Sequence, residues 1–274
     1  MGVIDIHQHL IKYQSVEPGY CQHLISANPD YFGAMTEKYS QPAEIDAMLA
    51  AADVDLAVIM AEDAPLTTGL ASSEYVADFC RQTERVRFFS SVNPMTALNA
   101  ADRFERDVTE LGALGLKLYP SYQWYYPNDP ALYGIYARAV ALDVPVTFHT
   151  GSSTFPGSRM KYAQPIHLDD VAVDFPDLKI FMAHAGRPFW YDEAQWMVKR
   201  HPNVYIDLAS LPPKRLLDYL PDLERIAPKV LFGSDWPAIP STLAANIDQL
   251  RALPISDRAK EQILHENARR LLKL

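Results

Sequence analysis

The chain of 274 residues is 49% apolar and 22% charged, and it carries a formal net charge of −9. This composition is typical of a soluble globular protein, and the excess of acidic residues argues against nucleic acid as a partner. The length suits one large domain or two small ones and lies near the roughly 250 residues of an α/β barrel.

The first residues show no basic region followed by an apolar run, so we expect no signal peptide. No stretch approaches the roughly 20 apolar residues needed to cross a bilayer. The spacing of the two cysteines, Cys21 and Cys80, does not suggest a disulfide. We therefore expect a cytoplasmic protein with two free thiols and no membrane contact.

The first ten residues hold a short apolar run that ends in two histidines. If residues 3–6 begin a strand, the side chains of His7 and His9 point to the same face of it. Two imidazoles that meet on one face can share a metal ion. The alternative is a strand end with two partly exposed histidines, and the ends of later strands decide between the two.

Residues 10–41 show no clean period and carry several aromatic side chains: Tyr13, Tyr20, Tyr31, Phe32 and Tyr39. Long irregular segments inside a compact domain are usually functional or disordered, and the aromatic content argues against disorder. We predict a long loop insertion after the first strand that forms a lid or pocket wall. A packed surface excursion is the alternative.

From residue 42 onward, helical patterns alternate with apolar runs. The runs predict strands at 55–61, 86–92, 115–119, 144–149, 178–184, 204–208 and 230–234. The patterns predict helices at 42–52, 72–84, 97–111, 130–142, 166–175, 189–200, 214–226, 242–253 and 257–272. Each later strand begins roughly 30 residues after the one before it, which is the length of one βαβ unit.

Eight strands that alternate with helices imply a parallel sheet with right-handed crossovers. Eight units at this length favour a closed (β/α)₈ barrel over an open doubly wound sheet. No glycine-rich phosphate fingerprint follows the first strand, which removes the main signal for a dinucleotide-binding sheet. No linker divides the chain, so we predict one domain over residues 1–274.

Active sites of such barrels lie at the carboxyl ends of the strands. The polar residues at these strand ends are, in chain order, His7, His9, Lys117, His149, His184 and Asp235. A single buried histidine would be unremarkable, but four at strand ends together with an aspartate predict a shared site. The remaining histidines fall in loop or helical sequence, where surface or capping roles are expected: His23, His167, His201 and His265.

Imidazole nitrogen and carboxylate oxygen are ligands that suit Zn²⁺ and related cations. Three or four such ligands with one open position hold a water and lower its pKa to about 7. Asp235 could bind the metal and also accept the proton of that water. His184 is placed to act as a general acid or base, or to polarise a substrate oxygen.

Seven motifs, spread from Val3 to Leu272, resemble the amidohydrolase superfamily of TIM-barrel, metal-dependent enzymes. They are closest to its amidohydrolase-related branch, or family 2, which also contains the aminocarboxymuconate-semialdehyde decarboxylase group. The motifs are VIDIHQH at 3–9, GLKLYP at 115–120, FHTG at 148–151, AHAG at 183–186, VYID at 204–207, FGSDWP at 232–237 and ENARRLL at 266–272. They specify the superfamily without specifying a substrate.

The resemblance implies that the metal ligands are His7, His9, His149 and Asp235, with His184 and Asp235 catalytic. It also implies two possible states for Lys117. In binuclear relatives, a lysine of the fourth strand is carbamylated and bridges two metals. We expect one divalent ion per chain, Zn²⁺ being our first choice, and an unmodified Lys117 near the substrate. A lysine head group that reaches past the rim to solvent is the remaining alternative.

Substrate signals are few. Residues 119–126 are strongly aromatic and, with Tyr13, Tyr20 and Trp236, could line a flat apolar pocket, although such residues can equally pack loops together. Arg187, which follows strand six, is a better candidate to bind an anionic group than Arg159 or Lys161. Our predicted substrate-binding residues are Lys117, Tyr119, Arg187 and Trp236.

We expect a hydrolase that acts on a lactone, ester or amide bond of a small molecule, possibly carboxylated or aromatic. A decarboxylase or hydratase built on the same site is the first alternative. A non-catalytic metal-binding barrel is the second. The sequence leaves a homo-oligomer open.

Overall fold

The structure is a computed structural model, and it describes residues 2–27, 33–239 and 241–274. Eight parallel strands form its centre, and they follow the predicted runs closely. In chain order they are β1 (Val3–Gln8), β2 (Val54–Met60), β3 (Val86–Phe89), β4 (Leu116–Leu118), β5 (Val146–His149), β6 (Ile180–Ala183), β7 (Val204–Asp207) and β8 (Val230–Leu231).

The strands pair in sequence order and close into a ring. Strands β1 to β3 and β4 to β8 each form a continuous parallel ladder. A bridge between Ser90 and Leu116 joins β3 to β4, and a bridge between Gln8 and Trp236 joins β1 to the chain beyond β8. The N–H of Ile6 also donates to the carbonyl of Phe232 at 3.0 Å. The (β/α)₈ barrel expected from the sequence is therefore confirmed.

Helices of the barrel lie between consecutive strands, close to their predicted positions. The longer ones are Pro42–Ala51, Ser73–Cys80, Ala100–Thr109, Tyr133–Leu142, His167–Asp174, Tyr191–Arg200 and Leu243–Arg251. The predicted helix 214–226 is instead three short turns, Pro213–Arg215, Leu216–Tyr219 and Leu223–Ile226. Pro221 separates the last two, because proline lacks the N–H that would continue the helix. The predicted helix 257–272 runs as Asp257–Glu261, the π-helical turn Gln262–Glu266 and Asn267–Leu272.

Two apolar clusters fix the barrel. The larger packs the helices against the outside of the strands. The smaller unites buried side chains from strands that face each other across the ring, among them Ile6, Phe89, Phe181 and Leu231. Such a filled interior is what makes these barrels packed cores that leave only their rims for function.

The segment after β1 is more regular than we predicted. Residues 10–41 contain the strand Ser15–Val16 and the helices Pro18–Ala27 and Ala34–Tyr39, so the prediction of irregular structure is wrong there. Pairing to a short hairpin after β2, Glu62–Ala64 with Gly69–Ala71, orders its first part. Tyr31 and Phe32, which we included in this lid, lie outside the described residues.

Cys21 and Cys80 are free thiols, as expected. Within the three described stretches of the chain, no helix combines the length and the apolar character that a membrane span requires.

Candidate active site

A cavity of about 580 Å³ opens at the carboxyl ends of the strands. Most of the predicted site residues line it, together with aromatic side chains from the loops. The lining comprises His9, Tyr13, Tyr20, His23, Leu24, Glu62, Lys117, Tyr119, Tyr122, His149, Thr154, Phe155, His184, Arg187, Ser210, Asp235, Pro237, Ala238 and Ile239. Its volume suits a small organic molecule.

Three of the predicted ligands converge on one point at this rim. Nε2 of His7 lies 3.5 Å from Oδ1 of Asp235, and Nε2 of His9 lies 3.3 Å from the same oxygen. His7, His9 and Asp235 offer ligand atoms that all lie within 4.8 Å of one another. These three donors are spaced so that they could hold one cation; His149, the fourth predicted ligand, is not part of this group in the described structure.

Asp207, at the end of β7, contacts the ring nitrogen of His7 that faces away from the ligand group. Nδ1 of His7 lies 2.5 Å from Oδ2 of Asp207, and both side chains are fully buried. Gly233 passes so close that a Cβ there would meet Oδ1 of Asp207 at 2.2 Å. Because the carboxylate fixes the hydrogen on Nδ1, Nε2 of His7 keeps its lone pair for a ligand.

His9 has a comparable set of partners on its outer side. Its Nδ1 lies 3.3 Å from the hydroxyl of Tyr13 and 3.5 Å from Oε2 of Glu62. The hydroxyl of Tyr13 donates to that oxygen at 2.7 Å, and Thr68 donates to the other oxygen of Glu62. A buried carboxylate thus stands beside each of the two histidines of β1.

His149 and His184 form a pair at the ends of β5 and β6. Nε2 of His184 lies 3.2 Å from Nδ1 of His149, and Nδ1 of His184 donates to the carbonyl of Ala209 at 2.9 Å. Nε2 of His149 is buried and has no hydrogen-bond partner in the described structure. The ring of Tyr122 packs over His149, with the ring centroids 4.7 Å apart.

The backbone at the site adopts uncommon conformations. Asp235 and His184 have positive φ angles of 69° and 67°. Such angles are costly for residues other than glycine and are concentrated at functional sites. Ser210, also at positive φ (58°), donates its hydroxyl to Oδ2 of Asp235. The carboxylate is thereby oriented with Oδ1 toward the histidines.

Burial and neighbouring charges shift the pKa of the central groups. Burial alone would raise the pKa of Asp235, but its close contacts with the surrounding histidines hold it well below its usual value. Burial and the charge of Lys117 lower the pKa of His7. Burial, with Lys117 and Arg187, lowers that of His149 well below the usual range. An ionised aspartate among neutral imidazoles is the protonation state that binds a cation.

Lys117 lies within the ligand group. It is fully buried, and its Nζ lies 3.1 Å from Nε2 of His7. Burial lowers the pKa of Lys117 to about 8, although Asp207 and Asp235 oppose this shift. The alternative of a head group that reaches past the rim to solvent is therefore wrong, because the side chain is enclosed by the barrel wall.

The predicted substrate residues divide into two groups. Lys117, Tyr119 and Arg187 line the cavity. Trp236 does not belong to the lining residues of this cavity in the described structure. It is buried in the apolar core, with its ring 5.3 Å from that of Tyr39. The structure therefore gives no support to Trp236 as a substrate contact.

Four residues of the site escaped the sequence analysis. Glu62 and Asp207 stand at or just beyond the ends of β2 and β7, so the search that found the histidines could have included them. Ser210 follows β7 in a loop, where nothing in the sequence marks it. His23, for which we expected a surface or capping role, lines the cavity from the helix Pro18–Ala27.

These residues fit a divalent metal ion. The donors are two imidazole nitrogens and a carboxylate oxygen around one point, and the orphaned Nε2 of buried His149, at the same rim, is a third nitrogen and a fourth candidate donor. This mixture suits Zn²⁺ and other first-row cations. Donors of this kind at the carboxyl ends of the strands are typical of barrel enzymes that use a metal ion.

The comparisons with known proteins identify the family. The model of the amidohydrolase family matches residues 4–274, and the chain belongs to this family. It is an enzyme of the amidohydrolase superfamily, whose members bind a divalent metal ion. The resemblance seen in the sequence motifs is thereby confirmed. Among curated proteins, none matches the chain.

Several solved structures share the fold of this chain over its full length. An uncharacterized TIM-barrel protein from Bordetella bronchiseptica is 23% identical, with a TM-score of 0.80 over 100% of this chain and 99% of that one. A 2,6-dihydroxybenzoate decarboxylase bound to 2,6-dihydroxybenzoate is 18% identical, with a TM-score of 0.74 over 100% and 99% of the two chains. The 5-carboxyvanillate decarboxylase from Novosphingobium aromaticivorans, crystallised with manganese, is 17% identical, with a TM-score of 0.69 over 100% and 96%. At these identities the similarity establishes the fold alone.

Proposed function

We propose that this protein is a metal-dependent hydrolase that cleaves a lactone, ester or amide bond in a small organic substrate. The observation that carries the proposal is the approach of His7 Nε2 and His9 Nε2 to Oδ1 of Asp235, at 3.5 and 3.3 Å. In this proposal His149, whose buried Nε2 has no hydrogen-bond partner among the described residues, is the fourth ligand, and the set would be of the open kind used by catalytic zinc sites. We propose one Zn²⁺ per chain.

A divalent cation held by these residues would lower the pKa of a bound water and polarise the substrate carbonyl. Asp235 is the proton acceptor in this proposal. Ser210 holds its Oδ2, and Oδ1 stays at the ligand group, where a reacting water must lie. A positioned carboxylate of this kind acts as a general base within hydrogen-bond reach of its proton.

Lys117 is the residue that we propose to stabilise negative charge on the substrate oxygen. Its side chain is fully buried at the site, with Nζ 3.1 Å from Nε2 of His7. A fixed positive charge in a buried cavity stabilises an oxyanion more strongly than it would in water. In this proposal Lys117 therefore carries no carbamate. Intact-protein mass spectrometry that finds a carbamate on Nζ would contradict this part of the proposal.

The second candidate is non-oxidative decarboxylation of a carboxylated aromatic acid, with a proton delivered to the ring carbon. One observation favours it: Lys117 and Arg187 line a cavity whose walls include the rings of Tyr20, Tyr119 and Tyr122. Aromatic walls with two cations suit a flat anion. The names of two proteins of similar fold, the 2,6-dihydroxybenzoate and 5-carboxyvanillate decarboxylases, describe this reaction.

The test is a substrate screen with metal-reconstituted enzyme. Lactones, esters, amides and carboxylated aromatic acids are offered, and acid release and carbon dioxide are measured together. Hydrolysis predicts acid release with oxygen from isotopically labelled water in the product, whereas carbon dioxide evolution identifies the second candidate. Asp235→Asn should abolish turnover, and Asp218→Asn, which changes an exposed carboxylate, should not. Turnover that survives Asp235→Asn would exclude the proposed base.

A further inference from the structure

A hydrogen-bonded chain connects His9 to a buried carboxylate that the mechanism above does not use. Glu62 is buried beside the cavity, and its Oε2 accepts from the hydroxyl of Tyr13 at 2.7 Å. The hydroxyl oxygen of Tyr13 in turn lies 3.3 Å from Nδ1 of His9. Thr68 donates to the second oxygen of Glu62. The carboxylate therefore receives both hydroxyl hydrogens.

The direction of this chain follows from its end. The hydroxyl of Tyr13 has one hydrogen, and it donates that hydrogen to Oε2 of Glu62. The oxygen of Tyr13 is then left to accept from His9, which places the ring hydrogen on Nδ1. Nε2, the nitrogen 3.3 Å from Asp235, is left with its lone pair.

We infer that Glu62, acting through Tyr13, is a positioning residue that holds His9 in the tautomer that binds metal through Nε2. The inference rests on the metal site of the proposed function and extends it to residues outside the ligand set. Asp207 performs the same task for His7 by direct contact at 2.5 Å. Each ring of the His7–His9 pair thus has its own carboxylate, supplied by a different strand.

The scaffold around Glu62 supports this role. Glu62–Ala64 and Ser15–Val16 both pair with Gly69–Ala71, so one three-stranded ribbon carries Glu62 and adjoins Tyr13 and Thr68. Gly69 has a φ of 144°, and a Cβ there would lie 2.2 Å from the carbonyl oxygen of Ser15. This close approach, open only to glycine, brings the start of the lid segment against the hairpin.

The decisive measurements are metal affinity and ring tautomer. Removal of the hydrogen-bond partner of a ligating histidine typically lowers metal affinity by about 10- to 100-fold. We expect Tyr13→Phe and Glu62→Met to weaken Zn²⁺ binding by about that factor, measured by competition with a chromophoric chelator. Tyr133→Phe is the matched control, because it removes a tyrosine hydroxyl that donates to Asp174, an exposed carboxylate away from the cavity. It should bind Zn²⁺ nearly as tightly as the wild type.

Nitrogen-15 NMR of histidine-labelled, metal-free protein tests the tautomer without any metal. The His9 signals, assigned with a His9→Gln variant, should show hydrogen on Nδ1 in the wild type and a shift toward the other tautomer in Tyr13→Phe. Circular dichroism establishes that each variant is folded. Hydrogen on Nε2 in the wild type, or Zn²⁺ affinity unchanged in both folded variants, would overturn the inference. If the wild type binds no metal, the proposed function fails. The NMR result still decides whether Glu62 and Tyr13 set the tautomer of His9.

Discussion

Nε2 of His184 lies 3.2 Å from Nδ1 of His149, and this contact determines which nitrogen of each ring carries a hydrogen. Because Nδ1 of His184 donates to the carbonyl of Ala209, its Nε2 must accept. Nδ1 of His149 is then the donor, and the buried Nε2 of His149 is left with a lone pair. We propose that His184 thereby orients His149 for metal binding, a role that the sequence motif did not indicate.

Replacement of His184 by Phe should therefore weaken metal binding. The variant keeps a ring of similar size but removes the acceptor for His149, and we expect a loss of about 10- to 100-fold in Zn²⁺ affinity. Chelator competition measures it, with His265→Phe as a control on a histidine outside the cavity. If turnover is lost while affinity is unchanged, His184 serves only in proton transfer, as the sequence motif implied.

Ser210 should matter through the orientation of Asp235. Its hydroxyl donates to Oδ2, and a hydrogen bond to a charged group contributes about 1.5–3 kcal/mol. We expect Ser210→Ala to lower kcat/KM by about 10- to 100-fold with little change in Tm. Ser153→Ala is the control, since Ser153 bonds Tyr122 and does not touch Asp235. Equal activity of the two variants would show that Asp235 needs no such support.

The sequence was sufficient for the barrel and for most of the metal group because both depend on local regularities. Buried parallel strands read as apolar runs, and residues at their carboxyl ends meet at one rim. The partners of those residues depend on contacts across the barrel. His7 meets Asp207 and His9 meets Glu62 only after the ring has closed, and no spacing in the sequence encodes these pairs.

The predictions for Trp236 and for residues 10–41 differ from the structure for local reasons. Trp236 follows Asp235, whose positive φ turns the chain, so alternation along β8 no longer predicts where the indole points. The helix Pro18–Ala27 is short, and over residues 18–26, whose side chains the structure describes, the buried ones are Tyr20 and Leu24. A single pair of apolar positions is too little for a helical period to be detected.

Cys80 offers a test of pH dependence away from the metal group. Burial raises the pKa of its thiol to about 12. Between the ordinary value of about 8.5 and about 12, the folded protein keeps a proton that the unfolded chain has lost, so stability should fall as pH rises through this window. At pH 9.5, iodoacetamide should modify Cys80 at least about 100-fold more slowly than in urea, as followed by peptide mass spectrometry. Comparable rates in both states would contradict the raised pKa of this partly buried thiol.

Arg187 should distinguish anionic from neutral substrates. Its guanidinium donates to the carbonyl of Ser210 at 3.1 Å, and the side chain lines the cavity beside Lys117. Arg159 was a weaker candidate from the sequence; it is exposed and lies over the ring of Trp124, 4.2 Å from its centroid. Arg187→Met keeps the apolar stem and removes the charge, so KM for a carboxylated substrate should rise by about 10-fold or more while that for a neutral lactone stays constant. Arg159→Met should change neither. If Arg187→Met raises both values equally, the side chain shapes the cavity without recognising a carboxylate, and the decarboxylation candidate loses the observation that favours it.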